Sequence, residues 1–409
     1  METVFFRQMF SPRMLVSFLM GFACGAPLLL TSSVLQAWMT EQGVDLSVIG
    51  LYSLVGLPYT LKFLWAPVFD RYTLPFLGRR RGWMLITQFA LILALVALGL
   101  TNPAQTPWLV AVAACVVTFF SASQDIVIDA YRREDLSDNQ LGLGSSLYVN
   151  GYRLGMLLAG SGGLILADHV SFAQVYVLMA GSLLVGVVTT LLCREPPLVK
   201  GTPRTFREAI INPFVDYFSR DRALLLLLFI LLYKLGDQMA STLTTPFYLS
   251  LGFSKTEIGA VAKLFGFWSA IAGGLVGGAI LLRIGIIRSL WIFGFLQAAA
   301  ILSFSVLALM GHSLVGLAVA IVLEQLTSGM GTSAYVAYMA SLTNKRFTAT
   351  QYALLSSCMG IPRVIIAAPA GWLAESLGWP LFFVGCAVVA VPGLLLLPMV
   401  AAQYRQDAQ

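Results

Sequence analysis

Ser121 to Arg153 reads SASQDIVIDAYRREDLSDNQLGLGSSLYVNGYR. Gln124, Asp125 and Asp129 close one long apolar segment, a charged loop follows, and Arg153 sits inside the next apolar segment. An ionised side chain at a helix centre in hydrocarbon costs about 2.5–3.5 kcal/mol or more, so charges kept there mark function. The rest of the chain reads as a frame that holds such charges around a central path.

The frame is set by composition. Of 409 residues, 58% are hydrophobic and 11% charged, and the mean hydropathy is +0.84. A soluble domain carries about 25% charged residues. The chain is therefore an all-α membrane protein that lies in the lipid bilayer as its solvent. A span needs about 20 largely apolar residues. That ruler predicts twelve transmembrane helices: 14–39, 46–69, 82–101, 107–131, 141–167, 171–193, 222–250, 256–282, 286–310, 313–341, 350–376 and 379–402. Arg13 before an apolar run resembles a signal peptide, but the run is too long for one, so it is read as an uncleaved first helix. The one long connection, 194–221, contains Pro196, Pro197, Pro203 and Pro213 and is read as a linker with a short surface helix at 205–219. The chain thus divides into an N-terminal half 1–193, a cytoplasmic linker 194–221 and a C-terminal half 222–409.

The net charge of +6 is unevenly spread. Nineteen of the 25 Lys and Arg fall in the segments on one side, five lie within spans, and only Lys255 falls on the other side. This positive-inside pattern puts both termini in the cytoplasm and excludes nucleic acid as the reason for the charge. Cys24, Cys115, Cys193, Cys358 and Cys386 have no metal-like spacing and read as packing residues, so no metal site is expected. His169 and His312 are isolated loop histidines. No H-E-x-x-H, G-x-S-x-G or Gly-Lys-Ser/Thr loop is present, so neither a membrane enzyme nor an ATP-driven pump has a supporting motif.

The halves repeat each other. A shift of 209 aligns Gly43, Ile49, Gly50, Arg79 and Gln88 with Gly252, Ile258, Gly259, Arg288 and Gln297. A shift of 210 aligns Ser123, Ala130, Ser146 and Arg153 with Ser333, Ala340, Ser356 and Arg363. Two six-helix pseudo-repeats related by an axis along the membrane normal are the major facilitator fold, with substrate near the midplane. Between spans 2 and 3, Asp70-Arg71 followed by Gly78-Arg79-Arg80-Arg81 resembles that fold's G-x-x-x-D-R-x-G-R-R motif, with six residues interposed. Asp70, Arg71, Gly78 and Arg79 are its conformational residues. Asp70 at a helix end can tie down a basic group or a helix terminus, and the tie can break as the halves rock.

Lys62, Arg153, Lys234, Lys263 and Arg363 are the cations within spans, and Asp125, Asp129, Asp237 and Glu324 the anions. At 1.5 Å per residue, Arg153 and Arg363 lie about 18 Å deep, near the midplane. As symmetry mates with planar two-donor forks they are read as holding substrate carboxylates, against the blander reading of buried ion pairs. Asp125 and Asp129 are i, i+4 and share a helix face, with Arg132 placed to pair with Asp129. Lys234 and Asp237 are i, i+3, and the reading stays open between an internal pair and separate roles. A carboxyl at low dielectric can take up and release protons, so Asp125, Asp129, Asp237 and Glu324 are the candidates for proton coupling, Asp125 first. Lys62, Gln124, Tyr148, Asn150, Arg153, Lys234, Lys263, Gln325 and Arg363 are the candidates for substrate contact. The hydroxyls, amides and rings of Thr31, Ser32, Ser33, Gln36, Tyr59, Trp65, Ser241, Thr242, Thr244 and Thr245 suit a sugar or peptide. For any single hydroxyl, helix–helix bonding is the commoner use. Gly21/Gly25, Gly151/Gly155 and Gly274/Gly278 are spaced for close helix contact. Pro58, Pro246 and Pro362 fall within spans, and Pro362 is placed to aim Arg363.

FLWAPVFDRYTLPFLGRRRGW (63–83), SASQDIVIDAYRRE (121–134), LYKLGDQMASTLTT (232–245) and GMGTSAYVAYMASLTNKRFTATQYALL (329–355) resemble the AmpG-type muropeptide permeases of the major facilitator superfamily. The likeness runs through nearly all twelve spans. It implies import of GlcNAc-1,6-anhydro-MurNAc peptides across the bacterial inner membrane, driven by protons as coupling ion and with no other cofactor. It also implies a link to cell-wall recycling and β-lactamase induction. The chain is expected to act as a monomer. Gln124, Asp125, Asp129, Lys62, Lys234 and Asp237 lie in or beside the matching segments, and Arg153 follows its own in a G-Y-R-L-G-M setting. Some members are longer, with extra C-terminal hydrophobic segments; this chain is expected to lack them. Two other functions fit the same residues: transport of another anionic sugar or peptide conjugate, and a sensor that binds without transporting.

Overall fold

The computed structural model describes residues 10–44, 48, 52–197, 205–258, 260–261 and 265–407, the side chains of 53, 206, 255, 256, 361–369 and 403–407 excepted. Among the described residues there is no β-strand, and nine helices are long and apolar enough to cross a membrane. The starts of these helices follow local chemistry. Pro12 and Pro107 occupy the first helical position after Ser11 and Thr106, where a missing N–H costs nothing. Ser137 with Gln140 and Ser171 with Gln174 form reciprocal capping boxes.

Several of the expected spans, some of those nine included, are interrupted where they are described. Stretch 46–69 contains the short pieces Tyr52–Gly56, Leu57–Leu61, Lys62–Leu64 and Ala66–Arg71, with Pro58 and Pro67 at the starts of two of them. Span 141–167 is helix Asp138–Leu157, a π turn Leu158–Gly162 and helix Gly163–Ala167. Spans 350–376 and 379–402 lie in Thr348–Asp407, which breaks at Gly378 with φ +74°. Span 222–250 is divided into Ala223–Tyr233, Leu235–Thr242 and Thr244–Ser250, so Lys234 sits at a break. The linker carries the helix Phe206–Phe218.

The chain forms two compact units: residues 1–214 with 340–357, and residues 215–339 with 358–409. The first unit therefore contains the beginning of helix Thr348–Asp407, which the repeat assigns to the other half. Its apolar core packs Leu30, Leu35 and Trp38 on Leu91, Leu95, Val117 and Tyr176, with Trp38 stacked on Phe172 at 5.6 Å. Helices Pro12–Leu30 and Asp138–Leu157 touch backbone to backbone. A Cβ on Gly21 or Gly25 would lie 2.1 or 2.0 Å from the carbonyl oxygen of Tyr148 or Tyr152, and one on Gly151 or Gly155 would lie 2.0 or 2.2 Å from that of Phe18 or Phe22. Small residues are what permit such an approach in a bilayer.

The second unit is cored by Phe247, Phe304, Phe382 and Phe383. Its close crossing includes Gly273 and Gly277, which face helix Leu314–Ser341, where an added Cβ would meet the Leu326 carbonyl at 2.0 Å and Met330 Cα at 2.8 Å. Gly274 and Gly278, the pair singled out by spacing, are buried on the same helix. Outward-facing side chains in both units include Leu192, Leu224 and Leu309, each more than 70% exposed, as expected of surfaces that meet lipid.

Candidate functional site

Within the first unit, helix Pro107–Asp135 carries a continuous buried polar face. Ser121 Oγ accepts from Tyr59 Oη at 2.9 Å, and Ser123 Oγ accepts from Trp65 Nε1 at 3.0 Å. Tyr59 and Trp65 are thus committed to helix–helix hydrogen bonds. Gln124 Nε2 donates to the Ala23 carbonyl at 3.0 Å and to Cys24 Sγ at 3.7 Å, so Cys24, read from sequence as packing alone, also meets a polar group. One turn separates Asp125 from Asp129, and both are buried. Asp125 Oδ1 and Gln124 Oε1 have no hydrogen-bond partner. Lys62 acts on both aspartates electrostatically without approaching either within 4.0 Å.

Asp129 is held by Arg132. Arg132 Nη2 donates to Asp129 Oδ1 and to Tyr352 Oη, each at 3.0 Å, while Nη1 donates to Ser145 Oγ at 2.6 Å. The guanidinium lies 4.5 Å over the Tyr148 ring and 5.6 Å from that of Tyr352. Tyr148 therefore serves as a face for Arg132. On helix Asp138–Leu157, Asn150 is buried with neither amide atom hydrogen-bonded, and Arg153 is half-buried. A buried amide without partners is costly unless water or a ligand completes it.

A second cluster surrounds Asp70 at the end of helix Ala66–Arg71. Asp70 accepts from Arg80 Nη2 at 2.7 Å, from the Thr350 N–H and Oγ1 at 2.8 Å each, and from the Ala349 N–H at 3.2 Å. The last two N–H groups are unused donors at the start of helix Thr348–Asp407, where a carboxylate also meets the positive end of the helix dipole. Arg80 makes a two-pronged pair with Glu134 and donates to the Phe69 carbonyl, and Arg79 donates to Glu134 at 2.8 Å. Asp70 therefore meets both a basic group, Arg80, and the start of a helix, while Arg71 lies over the Tyr72 ring at 5.3 Å. The six interposed residues move the basic run so that its second arginine reaches the carboxylate. Gly78 has φ +88°, and a Cβ there would lie 2.7 Å from the carboxyl carbon of Glu195. Glu195 in turn accepts from the Arg80 and Arg81 N–H groups, closing the start of helix Arg79–Gly99.

In the second unit Lys234 and Asp237 form the internal pair, 3.1 Å apart. Lys234 Nζ also reaches Gln297 Oε1 at 3.3 Å and the Ser328 carbonyl at 3.5 Å, so its three donors are committed to protein. Of the two sequence readings, that arrangement favours the internal pair over separate roles for Lys234 and Asp237. Glu324 is buried and Gln325 half-buried on helix Leu314–Ser341. Ser241, Thr242 and Thr244 bond carbonyls of their own segment. Lys263 and the side chains of Pro362 and Arg363 lie outside the described residues.

Arg80, Arg132, Glu134 and Tyr352 were not among the site residues expected from sequence. A signal existed for three of them, since Arg80, Arg132 and Glu134 fall at the ends of apolar segments where charge is costly to bury. Tyr352 had none, because its partner lies 220 positions away.

The model of the Major Facilitator Superfamily matches residues 13–367. An anhydromuropeptide permease of Escherichia coli (strain K12) is 44% identical over 400 residues, covering 97% of this chain and 81% of that protein. Among solved structures, the E. coli fucose:proton symporter FucP superposes with TM-score 0.72 at 11% identity over 94% of this chain and 97% of its own. The proton:xylose symporter XylE does so with TM-score 0.71 at 11% identity over 94% of each chain. These two likenesses concern the fold. The extent of the family match and the 44% identity together show that the chain belongs to the major facilitator superfamily and, within it, to the anhydromuropeptide permease family.

Proposed function

We propose that this protein imports anhydro-muropeptides from periplasm to cytoplasm by alternating access, driven by the proton-motive force. The identity to a permease of that name over nearly the whole chain is the observation that carries the substrate. Such solutes are large, sugar-bearing and carboxylate-rich, and buried amides and arginines are the groups that suit them. Gln124 and Asn150, with unpartnered buried amide atoms, and Arg153 and Arg363 at equivalent depths in the two repeats form the substrate contacts in this reading. Lys263 and Gln325 are the further candidates for substrate contact.

Asp125 carries the coupling proton in this reading, with Asp129 beside it. The support is physical: Asp125 is buried, one oxygen is unpartnered, and among the described residues no cation lies within ion-pair distance. Asp237, neutralised by Lys234, takes a structural part, and Glu324 is the remaining candidate in the second unit. The protein acts as a monomer in the bacterial inner membrane with both termini in the cytoplasm, as the distribution of Lys and Arg favours.

The test is uptake of labelled anhydro-muropeptide by cells lacking their own importer, with and without an uncoupler. Accumulation that the uncoupler abolishes is expected. Accumulation that survives the uncoupler sinks the proton coupling, and preference for a plain dipeptide or free GlcNAc sinks the substrate.

A further inference from the structure

Three successive residues at the start of helix Thr348–Asp407 are tied to three different places in the first unit. Thr350 binds Asp70 through its N–H and hydroxyl, both at 2.8 Å. Gln351 donates from Nε2 to the Pro213 carbonyl of the linker helix at 3.0 Å, and its Oε1 accepts from the Asn344 N–H at 2.7 Å. Tyr352 accepts from Arg132 at 3.0 Å. The first two ties fix where the helix begins. The third reaches the acidic face.

The geometry at Arg132 makes that third tie consequential. Nη2 has two hydrogens, and it serves Asp129 with one and Tyr352 with the other. Nη1 is drawn to Ser145, and the Tyr148 ring covers the guanidinium. All four of these side chains are buried, so water offers Arg132 no substitute acceptor of equal ease. Among the described residues, the charged or titratable groups acting on the Asp129 region are Arg132, Lys62, Asp125, Cys24, Tyr148, Tyr152 and Tyr352. Among these, Tyr352 alone sits on the turn that also holds Asp70.

We propose that Tyr352 is a positioning residue for proton coupling: its hydroxyl holds the Arg132 guanidinium in the one orientation that pairs with Asp129, and so links the tethered start of helix Thr348–Asp407 to the acidic face. When that turn leaves, Arg132 loses an acceptor and its pairing with Asp129 resets. This inference rests on the reading that the acidic face carries the coupling proton.

Tyr352→Phe keeps the ring and removes only the acceptor. In proteoliposomes with labelled anhydro-muropeptide, gradient-driven accumulation is expected to fall about tenfold, the effect of one hydrogen bond from a charged donor. Gradient-free exchange of the same solute should stay within about twofold of wild type, because Tyr352 touches Arg132 and not the proposed substrate contacts. A purely structural role lowers both together, so parallel losses, or wild-type accumulation, overturn the proposal. Asp129→Asn in the same assay separates the two levels. If it abolishes accumulation while Tyr352→Phe does not reduce it, the positioning role alone fails. If Asp129→Asn accumulates normally, Asp129 has no part in coupling and the inference falls, while the assignment of the proton to Asp125 stands or falls on Asp125→Asn.

Discussion

Replacing Arg80 with alanine should destabilise the protein by about 3–5 kcal/mol, the cost of leaving a buried charge without its partner. Four groups make a neutral cluster: Asp70 and Glu134 against Arg79 and Arg80. The side chains are at most 3% exposed, so water cannot replace the missing cation cheaply. Removing Arg80 strips both prongs from Glu134 and one donor from Asp70, and leaves one uncompensated negative charge. Arg79 still serves Glu134, and the Ala349 and Thr350 donors still serve Asp70. These survivors hold the loss at the stated range. Asp70→Asn restores neutrality in the Arg80→Ala background while keeping an oxygen for those donors. The double variant should therefore lose less than the sum of the singles by about 1–3 kcal/mol. Equilibrium unfolding of the detergent-solubilised protein in SDS, followed by tryptophan fluorescence, reads both quantities. A single-variant loss below about 1 kcal/mol, the range of exposed pairs, would refute the argument that this cluster is a desolvated unit. Strict additivity of the two substitutions would refute it as well.

Three further outcomes follow from other parts of the molecule. Gly25→Val places atoms where the Tyr152 carbonyl already stands, so the crossing must open and the loss should be about 1–3 kcal/mol; Gly181→Ala, in open space on a helix, should be neutral or gain up to about 1 kcal/mol in the same melts. Asp125→Asn should retain gradient-free exchange and lose uphill accumulation, and unchanged accumulation would remove Asp125 from the coupling role. Lys234→Met should cost about 3–5 kcal/mol by stranding Asp237, with much of it recovered by adding Asp237→Asn; equal stability of the single and double variants would show that the pair is not electrostatically closed.

Helical class, membrane residence and the shared face of Asp125 and Asp129 follow from quantities that residues near in sequence determine. Hydropathy over some 20 residues decides whether a segment tolerates hydrocarbon, and the 3.6-residue period decides which side chains share a face. The same holds for the glycines at 21, 25, 151 and 155, which meet backbone where their spacing implies close contact. Local spacing also allowed the Lys234–Asp237 pair, but only the positions of Gln297 and Ser328 show that it leaves the lysine no free donor.

What tertiary structure alone decided is which group meets which across long separations. Arg80 reaches Asp70; Gly273 meets Leu326; Tyr352 meets Arg132; and Thr350, 280 positions away, closes on Asp70. Each outcome turns on the rotation of one helix about its axis or on where a helix begins. A rotation of one residue moves a side chain by about 100°, and periodicity leaves that choice open. Packing against distant helices makes it, because a backbone contact needs the one residue without a Cβ and a buried charge needs the one donor within reach.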